Sequence, residues 1–154
     1  MDIQITNNSS IPVEVEVRIL IPLSEFVDKA LNVPFVDMGR GFDGWDCWGL
    51  VVSFYKDMLG IDLPTGEEYS YHKEEEAKGA LLEGASLWSR INPGEEQMGD
   101  VILLRPCHAG VVVERGKMLH CTEGINTTIG RYNDAIWCSR IIGIYRNARL
   151  NPNQ

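Results

Sequence analysis

Between residues 13 and 21, Val13, Val15, Val17, Ile19 and Ile21 alternate with Glu14, Glu16 and Arg18. That period of two predicts a half-buried strand. Ile3 and Ile5 lie beyond the turn-rich Asn7-Asn8-Ser9-Ser10, so roughly residues 1–22 read as a β extension built as a hairpin. The period then lengthens. Ser24 to about Leu31 predicts a helix capped by Ser24. Leu50, Val51, Phe54, Tyr55 and Met58 form a second helical apolar face, ended by Gly60 with Leu63-Pro64 beyond. Ala77 to Trp88 predicts another helix, weakened by Gly79 and Gly84, and Arg90 to Gly94 a loop. Val101-Ile102-Leu103-Leu104 reads as a buried strand after a turn at Gly99-Asp100. Two further β-prone runs, Cys107–Val113 and Met118–Cys121, are joined by a short polar loop containing Gly116, which predicts a hairpin. With no internal repeat, low-complexity tract or linker, the chain reads as one domain, 1–154.

Chemistry concentrates in two of these elements. Cys47, within Gly44-Trp45-Asp46-Cys47-Trp48-Gly49, falls where the second helix begins, with Asp43 or Asp46 available as its cap. A thiol in that first turn feels the positive end of the helix dipole, which favours thiolate. Taken alone, such a cysteine is more often a buried core residue. The hairpin changes the balance. A loop centred near Glu114 sets His108 opposite His120, and both side chains leave one face of the sheet. A thiol and two imidazoles then supply a nucleophile, a general base and a group to orient that base. The same register sets Cys107 against Cys121 on the other face, as a packed thiol pair or, under oxidising conditions, a disulfide. A metal site made from these neighbours is not expected: adjacent strand residues point to opposite faces, and neither Cys/His pair has zinc-knuckle spacing. Cys138, in Ile136-Trp137-Cys138, reads as core, and His72 as a surface residue.

Asp46-Cys47-Trp48-Gly49-Leu50-Val51, Gly99-Asp100-Val101, His108-Ala109-Gly110-Val111 and Leu119-His120 together resemble the NlpC family of papain-like cell-wall cysteine peptidases. The order and spacing of these short motifs carry the resemblance, which covers roughly residues 25–147. It is nearest to the branch found in phage and prophage tail proteins. There an aromatic residue often follows the nucleophile, and Pro34-Phe35-Val36-Asp37 with Gly39-Arg40 is similar to that branch's lead-in. The resemblance implies an α+β papain-like fold, with the nucleophile helix packed on an antiparallel sheet and Ile141–Arg146 as the last strand. It implies Cys47 as nucleophile, His108 as base and His120 as orienting residue, acting without a cofactor on amide bonds of peptidoglycan stem peptides. Phe35, Asp46 and Trp48 would then line the substrate groove. Two residues depart from the family pattern. Trp48 is bulkier than the Ser or Ala common after the nucleophile. Phe35 stands where many members carry a tyrosine, so oxyanion binding would fall to backbone N–H groups such as that of Cys47.

A formal net charge of −8, with no basic cluster, excludes a phosphate-tracking nucleic-acid binder. Glu74-Glu75-Glu76 reads as a solvated helix face. No apolar run reaches the length of a membrane span. Met1-Asp2-Ile3-Gln4 shows no basic region leading into an apolar stretch, so a secretory leader is not expected. A bacterial protein made in the cytoplasm and delivered to the wall on a phage or prophage tail, with tail proteins as partners, fits that expectation. Two alternatives stay open: a structural tail-assembly component with a weak site, and an amidase or acyltransferase working on another substrate.

Overall fold

The computed structural model describes residues 18–64 and 88–150. The hairpin expected before residue 18, the helix expected over 77–87, His72 and Glu74–Glu76 lie outside them. Residues 18–22, the end of the first expected strand, belong to no strand, and Ile19 and Leu20 are exposed.

Helix α1 spans Leu23–Ala30. Pro22, not Ser24, stands at its N-cap and makes no side-chain capping bond. Pro22 fixes the entry angle instead, and Glu25 and Lys29 complement the dipole at either end. One turn apart, Phe26 and Ala30 are the residues it buries. Phe26 meets Phe54 edge-on and stacks near Trp45. Strands β1 (Arg40–Gly41) and β2 (Gly44–Trp45) then form a small antiparallel pair that leads into helix α2, Cys47–Ser53.

All seven residues of α2 are buried, and the expected apolar face of Leu50, Val51, Phe54, Tyr55 and Met58 lies wholly in the core. The helix continues as a π-helical turn over Phe54–Leu59 and stops at Gly60, whose φ of +68° a glycine adopts without cost. The buried Tyr55 hydroxyl donates to the Gly99 carbonyl and ties this turn to the sheet.

The main sheet comprises β3 (Trp88–Arg90), β4 (Val101–Leu104), β5 (His108–Glu114), β6 (Lys117–Thr122), β7 (Asn126–Arg131) and β8 (Ile141–Asn147). Its order is β3-β8-β4-β5-β6-β7, antiparallel throughout. Trp88 to Arg90, expected as a helix end and loop, forms the edge strand β3. Strand alternation divides the core in two. Val101, Leu103, Ala109, Val111, Leu119 and Cys121 pack with α2. Ile102, Leu104, Val112, Met118 and Ile144 pack on the opposite face with Tyr132.

The β5–β6 hairpin forms, but two residues out of the expected register. Gly110, not His108, lies opposite His120, and Val112 opposite Met118. The turn is tight, Arg115-Gly116 with Gly116 at φ +91°, and a bulge follows Val112, so the loop centre moves toward the C-terminus. The Tyr132 hydroxyl holds that turn, accepting from Gly116 N–H at 2.8 Å and donating to Glu96 at 2.7 Å. An even shift leaves every side chain on its face; a shift of one residue would have put the two histidines on opposite faces.

Candidate active site

Asp46 fixes the start of α2. Its Oδ1 accepts from the Gly49 N–H at 2.8 Å and from Arg40 Nη1 at 2.8 Å, while Oδ2 accepts from the Met38 N–H at 3.1 Å. The carboxylate is thus both N-cap and clamp for the preceding loop, and it is buried at 2 % exposure. Gly49 and Gly39 let the loop press against the helix: a Cβ on Gly49 would stand 2.2 Å from the Gly39 carbonyl oxygen. Trp48 is also turned inward, its indole N–H donating to the Pro64 carbonyl at 2.9 Å. Of the three expected groove residues only Phe35 is half-buried. Its N–H donates to Asn126 Oδ1 at 3.3 Å, and it bridges to Trp45.

Cys47 Sγ accepts from the backbone N–H of Ala109, the residue next to His108. The thiol is raised far above its ordinary range. Burial contributes most, then the Asp46 charge; the Ala109 N–H opposes them, and Cys107 and Cys121 add to the rise. The dipole-activated thiolate expected from the helix position is therefore not the resting state. Desolvation of a cysteine that is only 3 % exposed outweighs one turn of helix. Cys107 precedes β5 and Cys121 faces α2, with its thiol 3.6 Å from the Trp45 carbonyl oxygen. None of the four cysteines is disulfide-bonded, and with the register shifted by two Cys107 no longer stands opposite Cys121. Cys138, expected in the core, is exposed, because the short 3-10 turn Cys138–Arg140 lies on the surface.

His108 and His120 meet diagonally across the hairpin, His108 Nε2 lying 2.8 Å from His120 Nδ1. Both are buried. Burial, His120 and Arg140 push His108 down to about 3, and burial pushes His120 down to about 4, so both rings are neutral near pH 7. His108 Nδ1 is buried with no hydrogen-bond partner. The tautomer that leaves no buried donor unpaired is assigned from this network: Nε2–H of His108 donates to His120, and Nδ1 stays a bare acceptor. No hydrogen bond joins Cys47 to either ring among the described residues. The resting pair is a neutral thiol and a neutral base on adjoining stretches of backbone. Among the described residues no group of three or more His, Cys, Asp or Glu side chains could hold a metal ion, and no helix is long and apolar enough to cross a membrane.

Of the residues that build the site, Trp137, Gly130 and Thr127 carry no recognised sequence signal. Trp137 stacks on the His108 ring, and Gly130 lies against His120. The Trp45 indole donates to Thr127 Oγ1 at 2.8 Å, and Thr127 donates to the Val33 carbonyl at 2.9 Å, binding the lead-in loop to β7. Arg146 holds buried Asp100 through two bonds of 2.9 Å at the head of β4.

Comparison with known proteins agrees with this architecture. Gamma-DL-glutamyl hydrolase of Bacillus subtilis (strain 168) is 25 % identical over 133 residues, 82 % of this chain and 29 % of that protein, so the chain spans under a third of its relative. The NlpC/P60-family protein similar to a lipoprotein from Staphylococcus aureus subsp. aureus Mu50 superposes with a TM-score of 0.58 at 22 % identity, over 79 % of this chain and 40 % of that one. The NlpC/p60 domain of peptidoglycan hydrolase SagA gives 0.56 at 16 % identity, over 82 % of this chain and 99 % of the domain. These likenesses bear out the α+β, papain-like core. The model of the NlpC/P60 family matches residues 32–146, from the lead-in loop through β8, and the chain belongs to that family.

Proposed function

We propose that the chain is a cysteine peptidase or amidase that hydrolyses amide bonds in peptidoglycan stem peptides. One observation carries the reading: His108 Nε2 is committed to His120, which leaves Nδ1 bare and buried beside the strand whose next N–H holds the Cys47 sulfur. As Sγ attacks the carbonyl carbon, its proton passes to His108 Nδ1, and the Nε2–H bond to His120 stabilises the imidazolium that forms. His108 then returns that proton to the leaving amine, giving a thioester. In the second half, water gives a proton to His108 and its oxygen attacks the thioester, releasing the acid and restoring the thiol. The Cys47 N–H at the start of α2 is the candidate oxyanion donor, since Phe35 has no hydroxyl. Charge separates only when substrate is bound, because both partners are neutral at rest.

The substrate class rests on family membership and on the named activities of the two hydrolase relatives. Delivery on a phage or prophage tail belongs to the same proposal and is supported by Trp48 after the nucleophile and by the lead-in at Pro34–Asp37. Mass spectrometry of purified peptidoglycan, digested by wild type and by Cys47→Ala, tests the reading. A new stem-peptide fragment with wild type alone is expected. A folded wild type that gives no fragment at several pH values under reducing conditions would refute it. That result would favour a tail-assembly component with a vestigial site, a reading supported by the buried thiol and its lack of a bond to either imidazole.

A further inference from the structure

We propose that Trp137 and Gly130 are positioning residues for the imidazole pair: the indole closes over both rings, and the missing side chain at Gly130 leaves the space in which His120 lies. The inference rests on reading His108 and His120 as base and orienter.

The rings are fixed from several sides. Trp137 stacks on His108, with centroids 5.4 Å apart and planes at 26°, and meets His120 edge-on at 5.1 Å and 89°. Behind His120, a Cβ built on Gly130 would stand 2.7 Å from Nε2, 3.4 Å from Cδ2 and 3.6 Å from Cε1, so the ring lies directly against the glycine backbone. Across the hairpin, a Cβ on Gly110 would stand 2.8 Å from Met118 Sδ and 3.3 Å from His120 Cβ. Any side chain at 130 must displace the ring that accepts the His108 hydrogen bond. Glycine inside a strand costs conformational entropy and often marks close approach; here the approaching group is an imidazole.

Trp137 is itself well held. Asp134 Oδ1 accepts from the Ile136 N–H at 3.0 Å and the Trp137 N–H at 3.2 Å. The Arg140 N–H donates to the Trp137 carbonyl at 2.8 Å, and its guanidinium sits 5.5 Å from the indole centroid. Arg105 N–H in turn donates to the Arg140 carbonyl at 2.8 Å, which links this turn to the end of β4. The indole thus presents a rigid wall, and the bond between the two imidazoles is shut away from water, as their exposures of 5 % and 3 % show.

Proton NMR on protein labelled with 15N-histidine tests the inference without relying on turnover. Wild type should show a low-field His108 Nε2–H resonance that exchanges slowly with water. Trp137→Ala and Gly130→Ala should each broaden or abolish it, while Trp137→Phe keeps it. Turnover, where wild type has it, should fall about 100-fold in kcat with Gly130→Ala and little in KM. The thermal midpoint gives a second readout. Gly130→Ala should lower it in wild type but not in a His120→Ala background, where the ring it would strike is gone. Persistence of the resonance in both alanine variants, or an equal loss of thermal midpoint in both backgrounds, would overturn the proposal. A resonance lost as expected in both alanine variants, when wild type never cleaves peptidoglycan, would leave the positioning role standing and remove the enzymatic reading.

Discussion

Replacing both His108 and His120 with glutamine removes two titratable rings and keeps polar groups of similar size in their place. The folded chain holds these rings at about 3 and about 4, while an unfolded histidine has the ordinary value of 6.5. Below about pH 6.5 the unfolded chain therefore takes up protons that the folded chain refuses, and acidification favours unfolding. At pH 5, about 1.5 units below the unfolded value, each ring costs about 2 kcal/mol at 1.36 kcal/mol per unit. Wild type should therefore lose about 4 kcal/mol between pH 7 and pH 5 from these two rings, out of a typical total of about 5–15 kcal/mol. The loss stops growing near pH 3, where the folded rings also protonate. Urea unfolding at pH 7 and pH 5, followed by far-ultraviolet circular dichroism, measures it. His72 and the carboxylates are common to both proteins, so their contributions cancel in the difference. The double variant should lose about 4 kcal/mol less than wild type over that interval. Equal losses in the two proteins would show that the folded rings titrate normally, and the neutral-base mechanism would fall with them.

Other consequences can be measured separately. Iodoacetamide near pH 7.5 should modify exposed Cys138 well before buried Cys47, as peptide mapping would record; the reverse order would mean an open, ionised thiol. Asp46→Ala removes the α2 cap and the buried carboxylate of the Arg40 ion pair, so it should cost about 3 kcal/mol in urea unfolding; a loss under about 1 kcal/mol would contradict the clamp. Tyr55→Phe leaves the Gly99 carbonyl without its hydroxyl donor and should cost about 1 kcal/mol, with an unchanged midpoint counting against that bond.

The hairpin, the buried strand before it and the helix starting at Cys47 were legible because alternation and helical spacing are local signals. The register was legible only in its parity. Where the turn centred depended on a bulge after Val112, which no single residue announces. Strand β7 went unread because Asn126-Thr127-Thr128-Ile129-Gly130-Arg131 is polar and contains a glycine, and its role emerges only against His120. The apolar neighbours of Cys138 mislead: Ile136 faces solvent, and Trp137 is the residue of that trio packed onto the imidazoles. The state of Cys47 was misread for a similar reason. Position in a helix is written in the sequence, whereas desolvation is set by what the fold stacks around it.

That desolvation bears on how long the protein can last. Peroxide oxidises thiolates, and the reaction follows exposure as well as charge. A sulfur that is neutral and shut in at rest is a poor target for oxidation to sulfenic acid, while Cys138 on the surface meets oxidant first. The chain thus carries its one proposed nucleophile in a form that oxidant reaches only after the surface thiol of Cys138.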